Sequence, residues 1–282
     1  LLLATVAFGD PPTTVQPDDP HYDLEQLYFH RKFTEGLAQT EAKLASNPDD
    51  PALYWHKSRF MYEIGERFDH DDPSVDKVGF YKAMKASAEA GLKVAPDDPH
   101  LHFALAVSAG RLGTTRGVMA SLFLAKTVER GFLAPAEHPT FNYASLGGYE
   151  QLPCDAYHGL GIFYRLVPDW WVVKVLSGTR GDLTKAVHYN QLSTECKPQS
   201  VQNHKELMVS QMCLAEKTDD PAMMQEAIVT GKKALALPTR GAVVAIDKRH
   251  IQTLLDDPSL ACGYSRDGQQ ELDEKKLKKE AG

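Results

Sequence analysis

Apolar positions recur at helical spacing in blocks along most of the chain, and short polar stops bearing proline separate the blocks. The clearest block runs from His100 to Phe132. In its first half Leu101, Leu105, Ser108, Ala109 and Leu112 form one helical stripe, and Phe103, Val107 and Gly110 form a second, which predicts a helix packed on two sides. In its second half Val118, Ser121, Leu122, Ala125, Val128 and Phe132 make one stripe, and Met119, Phe123 and Leu124 widen it nearly all the way round. The halves meet at a turn around Gly113 to Gly117, where glycine allows positive φ and close helix approach. The block reads as a helical hairpin buried in the middle of a stack.

Its flanks repeat the pattern. Helical periodicity starts near Tyr22 and continues through Leu24, Leu27, Phe33, Leu37 and Leu44 to the stop Asn47-Pro48-Asp49-Asp50-Pro51. The next block carries Leu53, Trp55, Phe60 and Ile64, a polar loop, then Phe80, Tyr81, Met84, Ala88 and Leu92, and ends at Ala95-Pro96-Asp97-Asp98-Pro99. That stop is a near-copy of the first, 48 residues later. Pro48 and Pro96 cannot continue a helix, the aspartates can cap the next one, and Pro51 and Pro99 suit its first turn.

After Phe132 the periodicity lapses in a Pro- and Gly-bearing insertion, Ala134 to Asp155, too long for a plain repeat connector. A fourth hairpin follows from Ala156 to Leu192, broken at Pro168 and Trp170-Trp171. A fifth spans Ser200 to Leu237 with Asp219-Asp220-Pro221 at its junction, and Ala242 to Leu255 reads as a closing helix. The expected fold is therefore all-α, a tetratricopeptide-like α-α solenoid of about five helical hairpins plus a closing helix. The expected division is a truncated signal and linker at 1–20, one helical-repeat domain at 21–256 with its insertion at 134–155, and a C-terminal tail at 257–282. From Gln269 that tail, rich in Glu and Lys, reads as a solvated helix or disorder.

Composition adds compartment and excludes some partners. The 282 residues, 43% hydrophobic and 24% charged, are enough to bury a sizeable core. A net charge of −7 gives no basic field, so nucleic acid is not an expected partner. Leu1 to Phe8 has the apolar, small-residue character of the end of a signal-peptide hydrophobic region, which predicts a truncated export signal and a periplasmic or secreted protein; the alternative is an apolar tail docked on the domain. Cys154, Cys196, Cys213 and Cys262 allow three pairings, with free buried thiols as the alternative. A helix starting near Ser200 would carry Cys213 about 18 Å from Cys196, beyond disulfide reach, which makes that pair the least favoured.

The chain has no Gly-x-Ser-x-Gly, His-Glu-x-x-His, P-loop or dinucleotide fingerprint, so it is not read as an enzyme and no catalytic residue or cofactor is expected. No metal site is expected either. Asp69-His70-Asp71-Asp72 has the composition of a hard-cation loop without its ligand alternation, and His100 and His102 point to different sides of one helix. The residues read as lining a ligand cavity are Trp55, Phe103, Arg111, Phe123, Tyr164, Trp170 and Trp171. Trp170 and Trp171, with Phe163 and Tyr164, would line a mouth admitting an apolar ligand, or else cover a hairpin gap. Arg111 and Arg116 flank the central turn and would bind a carboxylate, or else serve as capping or solvated arginines.

The segment Gly110-Arg-Leu-Gly-Thr-Thr-Arg-Gly-Val-Met-Ala-Ser-Leu-Phe-Leu-Ala-Lys-Thr-Val-Glu129 resembles the TatT family of periplasmic TRAP-transporter accessory proteins. So do Ala156-Tyr-His-Gly-Leu-Gly-Ile-Phe-Tyr-Arg165 and Gly181-Asp-Leu-Thr-Lys-Ala-Val187. The likeness covers roughly Ala52 to Leu237 and rests on the Arg-Gly-x-x-x-Ser-Leu-Phe-Leu pattern, which ordinary tetratricopeptide repeats lack. The resemblance implies a helical-repeat protein, often a homotrimer, whose cavity or pore accepts an apolar organic small molecule exchanged with a TRAP substrate-binding protein. The chain is also similar to the regulators of microtubule dynamics, which implies instead a scaffold binding a peptide or partner protein in its groove. The insertion from Ala134 to Asp155 departs from the family pattern.

Overall fold

A computed structural model describes residues 13–68, 74–117 and 119–266. Leu1 to Phe8, read as the end of an export signal, the acidic cluster Asp69 to Asp72 and the tail from Gln269 lie outside the described residues. Among the described residues the chain forms twelve α-helices: α1 (Tyr22–Phe29), α2 (Phe33–Ser46), α3 (Pro51–Gly65), α4 (Lys77–Val94), α5 (Pro99–Arg116), α6 (Ala125–Ala136), α7 (Cys154–Leu166), α8 (Trp171–Ser177), α9 (Leu183–Cys196), α10 (Val201–Thr218), α11 (Pro221–Ala236) and α12 (Ala242–Asp256). The fold is an all-α solenoid of helices packed against their neighbours in sequence order.

The aspartate-proline stops set the hairpin boundaries. Asp50, Asp98 and Asp220 each occupy the N-cap position, accept from backbone N–H groups of the following turn, and precede a proline at the first helical position. Five hairpins result, α1/α2, α3/α4, α5/α6, α7/α9 and α10/α11, closed by α12. The first helices touch one another in a row, α3 on α5, α5 on α7, α7 on α10 and α10 on α12, so they form the inner layer and the second helices the outer one.

Helix α5 is buried on two sides as its double stripe predicts: Leu101, Ala104, Ala106 and Ala109 are all nearly inaccessible, between α3, α4, α6 and α7. Its crossing with α6 is close. A Cβ at Gly131 would stand 2.6 Å from the His102 carbonyl oxygen, so the position requires glycine. The central cluster adds Trp55, Phe103, Phe132, Leu160, Phe163 and Tyr164, while smaller clusters sit at the two ends, around Phe60 and around Met208.

Several details depart from the periodicity. The run from Tyr22 to Leu44 is two helices, broken at Arg31, which adopts φ 59. Helix α5 continues through Gly113, and the turn falls at Gly117 with φ 93. The segment after it, Met119–Leu124, is a 3₁₀ helix before α6 begins. The insertion, bounded by Ala136 and Cys154, carries two two-residue strands, Tyr143–Ala144 and Gln151–Leu152, and the first pairs in parallel with Thr13–Thr14 of the expected linker. Strands of two residues are too short to leave a period-2 signature.

Packing also continues past residue 256 into the expected tail. Leu260, Ala261 and Tyr264 are buried against α10 and α12. All four cysteines are bridged: Cys154 to Cys196, with Cα atoms 5.7 Å apart, and Cys213 to Cys262, at 4.7 Å. The spacing argument against Cys196 with Cys213 agrees with this pairing, and the free-thiol alternative does not.

Candidate functional site

The seven residues read as cavity lining divide into three groups. Trp55, Phe103 and Tyr164 belong to the central core. The Trp55 ring packs against His100, Phe103 and Tyr143, with centroids 4.9, 6.2 and 6.2 Å away, and Phe103 meets Phe132 at 5.7 Å. Tyr164 stacks on Tyr189 and donates its hydroxyl to Glu129 at 3.0 Å. Side chains surrounded in this way pack the interior.

Arg111 forms the second group. Its Nε lies 2.8 Å from Glu66 Oε1, and its guanidinium lies over the Tyr81 ring. Glu66 also receives Arg266 Nη1 at 2.9 Å. The carboxylate next to Arg111 is thus the chain's own, held between the end of α3, the end of α5 and the C-terminal segment. Arg116, the other candidate beside the turn, is exposed at the last position of α5.

Phe123, Trp170 and Trp171 form the third group, and they stand in solvent, 66, 56 and 74% exposed. The reason for Phe123 is the 3₁₀ geometry. Three residues per turn bring Ser121 and Leu124, both buried, onto one line, and of the two residues between them Leu122 is half-buried and Phe123 rotates outward. Helix α8 packs alongside this 3₁₀ segment. It buries Val173 and Ser177, one turn apart, and turns Trp171, Val172, Val175 and Leu176 out, the last two 71 and 73% exposed. Sequence reasoning marked the two tryptophans and passed over Val175 and Leu176. The signal was available: in Trp171-Val-Val-Lys-Val-Leu-Ser177, whichever face is buried, the opposite face is still apolar.

A buried latch holds this ridge. Glu129 of α6 accepts from Thr179 Oγ1 at 2.8 Å, Tyr164 at 3.0 Å and Lys126 at 3.0 Å, and Ser177 Oγ donates to the Val173 and Thr179 carbonyls. Burial works against the charged Glu129, but the Lys126, Thr179 and Tyr164 hydrogen bonds together outweigh it and hold the carboxyl below its ordinary value.

Two more charged networks line the inner layer. Near α1, Arg59 pairs with Glu25 and, at 3.1 Å, with Glu150 of the insertion; Tyr143 donates to Glu25 at 2.9 Å, and the guanidinium lies 3.8 Å over the Tyr28 ring. Towards the other end, Lys205 reaches Asp247 at 2.7 Å and Glu206 at 3.3 Å, and Arg165 reaches Glu206 at 2.9 Å and the Tyr264 carbonyl at 2.6 Å. Burial alone would raise Glu206, but Lys205 and Arg165 bring it down to about 2. Through these contacts and the Cys213–Cys262 bridge, the C-terminal segment touches α3, α7, α10 and α12, while the insertion covers α1, α3 and α5. Between them the two segments touch every helix of the inner layer.

No group of His, Cys, Asp and Glu arranged to hold a metal ion occurs among the described residues. An open surface groove beside α1, lined by Tyr22, Gln26, His30 and Gln39 among others, contains none of the seven residues. The chain matches no protein-family model and no curated protein.

Proposed function

We propose that this chain is a non-enzymatic, exported helical-repeat adaptor, serving as an accessory to a transporter of the TRAP type and working through its exposed α8 ridge. The observation that carries this reading is the division of the seven residues. Those that would wall a cavity pack against one another or against Glu66, while Phe123, Trp170 and Trp171 form an apolar surface. Contiguous exposed apolar surface on a soluble fold marks an interaction site.

Two further features support it. The Ser121-Leu-Phe-Leu124 part of the motif on which the TatT resemblance rests builds one side of that ridge. The two disulfides suit an oxidising compartment. The reading in which a peptide lies in the inner groove is less well supported, because the insertion and the C-terminal segment cover that face.

Native mass spectrometry of the full chain, purified without added ligand, tests the reading. The adaptor should give a bare protein mass with both disulfides formed. A stoichiometric apolar adduct would contradict it and favour a carrier that encloses a small molecule.

A further inference from the structure

We infer that the α8 ridge docks on an anionic lipid surface, an assignment that rests on the docking reading above and names what the ridge meets. Four large apolar side chains, Phe123, Trp171, Val175 and Leu176, are each about two-thirds to three-quarters exposed. Side chains that exposed stand on a convex edge, which suits penetration into a soft interface better than the enclosure of a small ligand. Two of the chain's three tryptophans are here, and indole, with an apolar body and one N–H donor, favours the boundary between headgroups and acyl chains.

The charges around the ridge point the same way. Segments 116–130 and 169–185, which carry it, hold six basic residues and three acidic ones, in a chain whose net charge is −7. Of those acids, Glu129 is buried in the latch, Asp169 is paired with Arg180 at 3.1 Å, and Asp182 caps α9 by accepting from the Lys185 N–H. Lys174 on α8 itself and Arg116 beside the 3₁₀ segment are exposed, and the Lys126 side chain runs past Gly178 at the end of α8. With Arg180 and Lys126 paired to Asp169 and Glu129, Lys174 and Arg116 are left as exposed cations beside an apolar tip, which matches a surface of acyl chains beneath anionic headgroups. No helix among the described residues is long and apolar enough to cross a membrane, so the contact is with the surface.

Flotation of the full oxidised chain with vesicles tests this. Vesicles of phosphatidylcholine with about a third phosphatidylglycerol should bind it roughly tenfold more tightly than phosphatidylcholine alone, and 0.5 M salt should remove the difference. Trp171→Ser with Leu176→Ser should weaken binding to the anionic vesicles by roughly tenfold or more. Lys174→Glu with Arg116→Glu should reduce it to the level on neutral vesicles. All four positions are exposed, so the circular dichroism melts should be unchanged. Brominated acyl chains provide a second readout, since they should quench the fluorescence of Trp170 and Trp171 while the buried Trp55 remains bright. Failure to bind anionic vesicles, or binding that the apolar pair leaves intact, overturns the lipid assignment. So does a wild-type oligomer that the same pair converts to monomer, since a second copy would then be what covers the ridge. Failure with vesicles alongside a bare native mass removes the lipid assignment alone, whereas an apolar adduct removes the adaptor reading whatever the vesicles show.

Discussion

Phe103 and Phe123 belong to the same hairpin and meet opposite surroundings. Phe103 is enclosed by Trp55 and Phe132, whereas Phe123 is 66% exposed. Truncating a packed phenylalanine removes its transfer energy and leaves a cavity, so Phe103→Ala should cost about 3–5 kcal/mol. Phe123→Ala removes a ring that water already touches and should cost less than about 1 kcal/mol. Chemical denaturation of the two variants checks this, and equal losses would mean that the ring of Phe123 is packed. The sequence could not separate these two residues. A stripe counted at helical spacing puts Phe123 near the core, and only the change to 3₁₀ geometry after Gly117 turns it out. Arg111 was misleading for a different reason: a sequence shows that a guanidinium can bind a carboxylate but not that Glu66 is already 2.8 Å away.

At the scale of elements, the stops were legible because their chemistry is local. Asp98 accepts from His100 N at 2.8 Å and Pro99 opens α5 within a few residues of sequence. The insertion was recognisable only as a gap in periodicity, since what fixes it is a buried charge cluster drawn from distant positions. There one guanidinium, Arg59, serves both Glu25 and Glu150. Burial pushes the Glu150 carboxyl up, Arg59 pulls it down, and Asp155, Glu25 and Glu63 tip the balance, leaving it at about 8. A carboxyl raised in the folded state contributes stability that is fully present below its unfolded value, about 4.3, and is lost as pH rises through the folded value. The wild-type protein should therefore lose stability relative to Glu150→Gln between about pH 4.3 and pH 8, by on the order of 5 kcal/mol. Parallel stability curves for the two proteins across that range would show that Glu150 is not held protonated by the cluster.

The whole molecule combines a pattern that repeats with segments that do not. Five hairpins and a closing helix followed from periodicity and prolines, because each repeat buries its face against its neighbours in sequence. The segment after α12 has no such period. Its partners lie far back in the chain: Tyr264 is bound by Arg165, 99 residues away, and Arg266 by Glu66, 200 residues away. The one clue in sequence was Cys262, whose bridge to Cys213 ties the segment to α10. Both ends of the inner layer therefore meet other parts of the chain, and among the described residues the most exposed apolar side chains cluster on the α8 ridge.

Hydrogen–deuterium exchange of the full chain, alone and with anionic vesicles, tests that division most directly. The expected result is slow exchange in 143–152 and 257–266 under both conditions, with new protection confined to 119–124 and 170–177 when vesicles are present. Fast exchange in the two covering segments, or protection appearing on the inner face in place of the ridge, would contradict the account.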